Sequence, residues 1–85
     1  MTPRRHLWSM PRYFFHVHNI APRTDDEGED LSDDEAAWKE ATTYASDLLN
    51  DIDGKFRPGQ VWTLEVTDEA EKPLYLITIS SKRMR

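Results

Sequence analysis

Residues 32 to 52, SDDEAAWKEATTYASDLLNDI, form the only segment of this chain with sustained helical periodicity. That limits the fold to a sheet served by a single helix. Ala37, Ala41, Tyr44, Ala45, Leu48 and Ile52 recur every three or four residues and define one apolar stripe, flanked by Trp38 and Leu49. Ser32 followed by Glu35 fits a capping box, with Leu31 and Ala36 at hydrophobic-staple positions. Asp33, Asp34 and Glu35 fill the first turn, where the helix dipole favours negative charge. The small alanines let the helix lie close on a sheet, and Gly54 is placed to close its C-terminus.

Outside this segment the apolar residues alternate, as in strands with one buried face. In Arg12 to Asn19, Tyr13, Phe15 and Val17 fall on one face, and Phe14, His16 and His18 on the other. VWTLEVTD and PLYLITIS, separated by EAEK, read as an antiparallel hairpin. There Trp62, Leu64 and Val66 share a face with Tyr75, Ile77 and Ile79, and Pro73 is tolerable at a strand start. IAPRTDD, 20 to 26, reads as a loop, and residues 27 to 31 as a short strand returning onto the first, with Asp26 and Gly28 in the turn. The expected fold is α+β: a small antiparallel sheet of order β-(β)-α-β-β in sequence, with one helix packed on one face. Its other face is left open, carrying Phe14, His16, His18, Leu74 and Leu76.

At 85 residues the chain makes one domain, burying roughly 60% of its unfolded surface. The domain is expected over residues 10 to 80, with residues 1 to 9 a flexible basic arm and 81 to 85 a basic tail. The first ten residues lack the apolar run of a secretory signal, and no stretch approaches the ~20 apolar residues of a membrane span. With no cysteine there are no disulfides, which fits a reducing compartment. The expected location is the cytoplasm, with no membrane partner. Net charge is −5, but residues 24 to 79 hold all 16 acids against four bases, and the surplus of basic residues lies at the two ends. An acidic body repels phosphate backbones, so nucleic acid is not the expected partner.

No arrangement in the chain points to catalysis. It has no cysteine, no G-x-S-x-G, no phosphate-cradling glycine loop and no H-E-x-x-H. A domain this small also leaves little volume for a substrate pocket. No enzyme is expected, and no catalytic residue or cofactor is assigned. His16-x-His18 places two imidazoles on one strand face, a feasible pair of zinc or nickel ligands. The spacing supplies no third ligand, so no metal site is assigned. The acid run DDEGEDLSDDE does not fit a calcium loop, since Gly28 at position 6 puts Arg23 at position 1. Asp47 and Asp51 are a like-charge pair four residues apart near the helix C-terminus, where the dipole also disfavours them. A docking stripe for a basic partner is one reason to keep them. The candidate partner-binding residues are therefore Phe14, His16, His18, Asp47 and Asp51.

Four stretches carry a resemblance to a known family: MPRYFFHV, then Asp26-Glu27-Gly28 to Leu31, then S-x-x-E-A at the helix start, then LEVTDE at 64 to 69. Together they resemble a family of small bacterial proteins, frequent in alphaproteobacteria, known only as a domain of unknown function. The similarity spans roughly residues 10 to 80. It implies no catalytic or binding residue. Members commonly begin at the equivalent of Met10 and carry a glycine in the final hairpin turn. Glu71 stands near that place here, so a looser turn is expected. The chain is more weakly similar to HicB-type antitoxins in its acidic glycine turn and helix start, although L-S-D-D-E-A-A replaces their proline-rich segment. The leading expectation is a non-enzymatic binding or regulatory module. It would contact a protein partner or a second copy, as a homodimer, through the open sheet face or an edge. The alternatives are a metal-binding protein using His16 and His18, and an antitoxin-like regulator associated with nucleic acid.

Overall fold

The computed structural model describes residues 10–18, 22–52 and 55–85. The expected arm at 1 to 9, the strand end at Asn19 and the Gly54 cap lie outside these residues, as does the Ile52 side chain. Strands β1 (Arg12–His18), β2 (Glu29–Asp30), β3 (Val61–Thr67) and β4 (Pro73–Ser80) form one antiparallel sheet in the order β2-β1-β3-β4. Helix α1 (Asp34–Ile52) crosses between β2 and β3. The α+β expectation and the short returning strand are both present.

The core is built from the alternating rows and the helical stripe. Tyr13, Phe15 and Val17 of β1 and Trp62, Leu64 and Val66 of β3 are buried against Ala37, Ala41 and Ala45 of α1. Tyr75, Ile77 and Ile79 of β4 are half-buried at the margin of this cluster, opposite Val66, Leu64 and Trp62 respectively. Two tyrosines tie the first turn of the helix to the sheet. The Tyr13 hydroxyl donates to Asp34 Oδ1 (2.8 Å) and the Tyr75 hydroxyl to the Asp34 carbonyl (3.1 Å). Burial, followed by the Asp34 carboxylate, pushes the Tyr13 hydroxyl up to about 12.

Four local expectations are corrected. The helix cap is Asp33 rather than Ser32, because Asp33 Oδ1 accepts from the Ala36 N–H at 2.9 Å. This moves the start by one residue and removes the Ser32–Glu35 box and the Leu31–Ala36 staple. Leu31 packs on the core instead. The turn before β2 is organised by Asp25 rather than Asp26. Leu74 packs against the core rather than on the open face, and a register shift between Val66 and Thr67 lies opposite its end of β4. The β3–β4 turn is also tight, not loose. Asp68 Oδ1 accepts from the Ala70 and Lys72 N–H groups, and Glu71 takes φ 63°. A residue with a Cβ thus stands in the left-handed conformation that glycine adopts freely, at a cost of about 1 kcal/mol.

Candidate functional site

The outer face of the sheet is not uniformly open. On one side it is roofed by the loop between β1 and β2, and Asp25 holds that loop. Beyond the two residue pairs that β1 makes with β2, the Asp25 carboxylate continues the ladder. Its Oδ2 accepts from the Phe15 N–H (3.1 Å), while Oδ1 accepts from the Glu27 and Gly28 N–H groups (3.1 Å each). Val17 and Arg23 then exchange two backbone bonds. Burial alone would raise the Asp25 carboxyl, but the N–H groups of Gly28, Phe15 and Glu27 outweigh it and hold the group below its ordinary value. Gly28, at φ 75°, lies so close to β1 that a Cβ there would meet Arg12 Cγ and Phe14 Cε2 at 2.8 Å. The turn therefore requires glycine for both conformation and space. Arg12 closes the same corner with a two-pronged contact to Asp30 and a bond to the Glu27 carbonyl.

The two histidines prove unlike. His16 is half-buried, with both ring nitrogens engaged. Its Nδ1 accepts from the Asp25 N–H (3.1 Å), so the proton sits on Nε2, which donates to Thr67 Oγ1 (3.1 Å). The Phe14 ring stacks parallel to it at 6.4 Å. His18 is exposed, its Nε2 lying 3.5 Å from Glu65 Oε1. A metal at His16 would have to displace one of its two bonds. Among the described residues no group of three or more His, Cys, Asp or Glu is arranged to hold a metal ion.

Phe14 and His16 form the floor of a recess of about 500 Å³, also lined by Thr67 and by Asp25, Asp26, Glu65, Glu69 and Glu71. Carboxylates around an aromatic pair attract cations and repel phosphate, which weighs against base stacking by Phe14 in a nucleic-acid complex. Asp47 and Asp51 are exposed on α1, on the opposite side of the sheet. The structure therefore brings Phe14 and His16 together, sets His18 beside them, and leaves the two aspartates apart. Of the acidic helix residues, Asp33 is spent as the cap, and Glu40 lies against Glu29, whose carboxyl is raised by burial and then by Glu40.

The most conspicuous surface is one that single-residue reasoning does not reach. β4 is an edge strand eight residues long, and its sequence, PLYLITIS, carries no charge. Ser81 bonds back to Gly59 and Gln60. Antiparallel alternation from there turns the backbone groups of Tyr75, Ile77 and Ile79 toward β3, and those of Leu76, Thr78 and Ser80 outward, while the register shift at Leu74 ends the alternation. No strand among the described residues pairs with that outer edge. Leu76, the largest apolar side chain beside it, is 62% exposed. The missing signal was strand order: PLYLITIS is readable as a strand, but only the order β2-β1-β3-β4 makes it an edge.

No helix among the described residues is long and apolar enough to cross a membrane. Neither a curated protein nor a solved structure matches the chain. Residues 12–80 match the family model described as a domain of unknown function (DUF6894). The match begins at the first residue of β1 and ends at the last of β4, so the matched unit is the four-stranded sheet together with its helix. The chain belongs to the DUF6894 family.

Proposed function

We propose that this chain is a non-enzymatic, cytoplasmic binding module that holds a protein partner along the outer edge of β4. The observation that carries this reading is the edge itself. Edge strands are normally blunted by charge, proline, bulges or short length, because an open ladder recruits other strands. β4 has a proline only at its first residue, and its one register shift lies at that same end. From Tyr75 to Ser80 nothing blocks the addition of a strand, a common mode of peptide and domain recognition. The recess around Phe14 and His16 lies on the outer face of the same sheet, so it is positioned to recognise side chains of the partner. Its carboxylates favour basic ones.

Leu76→Lys tests this without disturbing the core, since Leu76 is exposed and a lysine on an edge disfavours pairing. Wild-type protein is expected to associate, with itself or with a captured protein whose cross-links map to β4. Leu76→Lys is expected to abolish that association while the circular dichroism spectrum and a cooperative melt show that the monomer keeps its fold. Association that survives the substitution, or cross-links that map only to other elements, would remove the reading.

A further inference from the structure

Edge pairing leaves open what the partner strand is, and charge placement around β4 selects an occupant. β4 is neutral but is flanked by opposite charges. The turn before it carries Asp68, Glu69 and Glu71 against one base, Lys72, and the chain after it carries Lys82, Arg83 and Arg85. Among the described residues neither set is neutralised. Lys82, Arg83 and Arg85 enter no ion pair, and the Arg83 Nε–H donates only to the Arg85 carbonyl (2.7 Å). Glu69 and Glu71 likewise have no ion pair. A strand that is acidic before and basic after is complementary to itself when reversed.

Resting on the binding reading above, we infer that the strand paired with β4 is the β4 of a second copy. The two run antiparallel about a two-fold axis and merge two four-stranded sheets into one. Backbone chemistry limits the register. Only outward-facing residues can exchange hydrogen bonds, so Leu76, Thr78 and Ser80 are set against the same three residues of the second copy, with the Tyr75, Ile77 and Ile79 side chains of both copies on the helix side. The half-buried row of Tyr75, Ile77 and Ile79 is then continued by the same row of the second copy, giving it the apolar neighbours it lacks at the sheet margin. Beyond the strand ends, the antiparallel arrangement brings the Lys82, Arg83 and Arg85 tail of one copy toward the β3–β4 turn of the other, where Asp68, Glu69 and Glu71 outnumber Lys72. These glutamates also line the recess over Phe14 and His16, so the basic tail of one copy approaches the rim of the other's recess. Ser81 starts the tail in the right direction, since its N–H, carbonyl and hydroxyl are all bonded to residues 57 to 60.

Sedimentation of the full chain across concentration and salt decides this. The expected result is a dimer that weakens as salt rises. The double reversal Arg83→Glu with Arg85→Glu is expected to weaken it about tenfold or more, since the tail of each copy then repels the acidic turn of the other. Glu69→Lys with Glu71→Lys should do the same. Combining all four substitutions should restore association, a rescue that a damaged fold cannot produce. A chain that is monomeric at every concentration overturns the second-copy inference, and so does a dimer indifferent to the reversals. If such a monomer still captures another protein in a Leu76→Lys-sensitive way, the binding reading stands and only the identity of the partner strand falls.

Discussion

Replacing Trp62 with alanine is expected to remove a large share of the stability of this domain. Trp62 is 1% exposed on β3, an interior strand, and sits among the largest buried side chains in the core. The facing helix presents alanines at 37, 41 and 45, which cannot swing in to fill a void. Truncating a buried tryptophan costs about 3–5 kcal/mol. A chain of this length has a total stability of about 4–13 kcal/mol. The thermal midpoint should fall by more than about 12 °C, and a molecule near the low end of that range will be largely unfolded at room temperature. Circular dichroism melts measure this directly. A fall of less than about 4 °C would mean that the core is not organised around this residue.

The second large effect is expected at Asp25→Ala. Three backbone N–H groups, from Phe15, Glu27 and Gly28, lose their acceptor together, and the His16 contact loses its anchor. The expected cost is about 2 kcal/mol, with faster hydrogen exchange at the Phe15 and Gly28 amides. Asp25→Asn is no remedy, since an amide NH₂ would face an N–H donor at one of the two oxygen positions. The pH dependence follows from the direction of the shift. The carboxyl is held below its ordinary value, so its contribution is fully present above the unfolded value of about 3.9 and is lost as pH falls through the lower folded value. Wild-type stability should therefore drop across that acid window more steeply than that of Asp25→Ala. Identical acid profiles for the two proteins would contradict the role given to Asp25.

Side-chain rows were legible wherever one residue's surroundings follow from its neighbours in the chain. The Tyr13-Phe15-Val17 and Trp62-Leu64-Val66 rows are buried as alternation requires, and Ala37, Ala41 and Ala45 as helical spacing requires. Reading failed where adjacent residues of one type compete. Ser32 and Asp33 are both good caps, and Asp25 and Asp26 both good turn formers. The choice falls to the residue whose oxygen reaches an N–H, which depends on backbone placement to a fraction of an ångström. Leu74 was misplaced because its end of β4 lies opposite a register shift, which no alternation pattern shows. Glu71 was misread because a left-handed glutamate is rare and the Asp68 bonds that hold it are invisible in sequence. Which strand forms the open edge is hidden in the sequence for a different reason: strand order is a long-range property, fixed by how β1 inserts between β2 and β3.

Residue-resolved hydrogen exchange along β4 tests the central claim most directly, because alternate amides of one strand serve as each other's control. Tyr75, Ile77 and Ile79 already bond to β3, so their protection should change little on association. The outward amides of Leu76, Thr78 and Ser80 should exchange quickly in dilute protein. In the associated state they should slow by about tenfold or more, as expected of newly bonded backbone groups. Protection that appears in the alternate pattern 76, 78, 80 is the predicted result. Outward amides that stay fast in the associated state, while protection rises on α1 or β2, would contradict it.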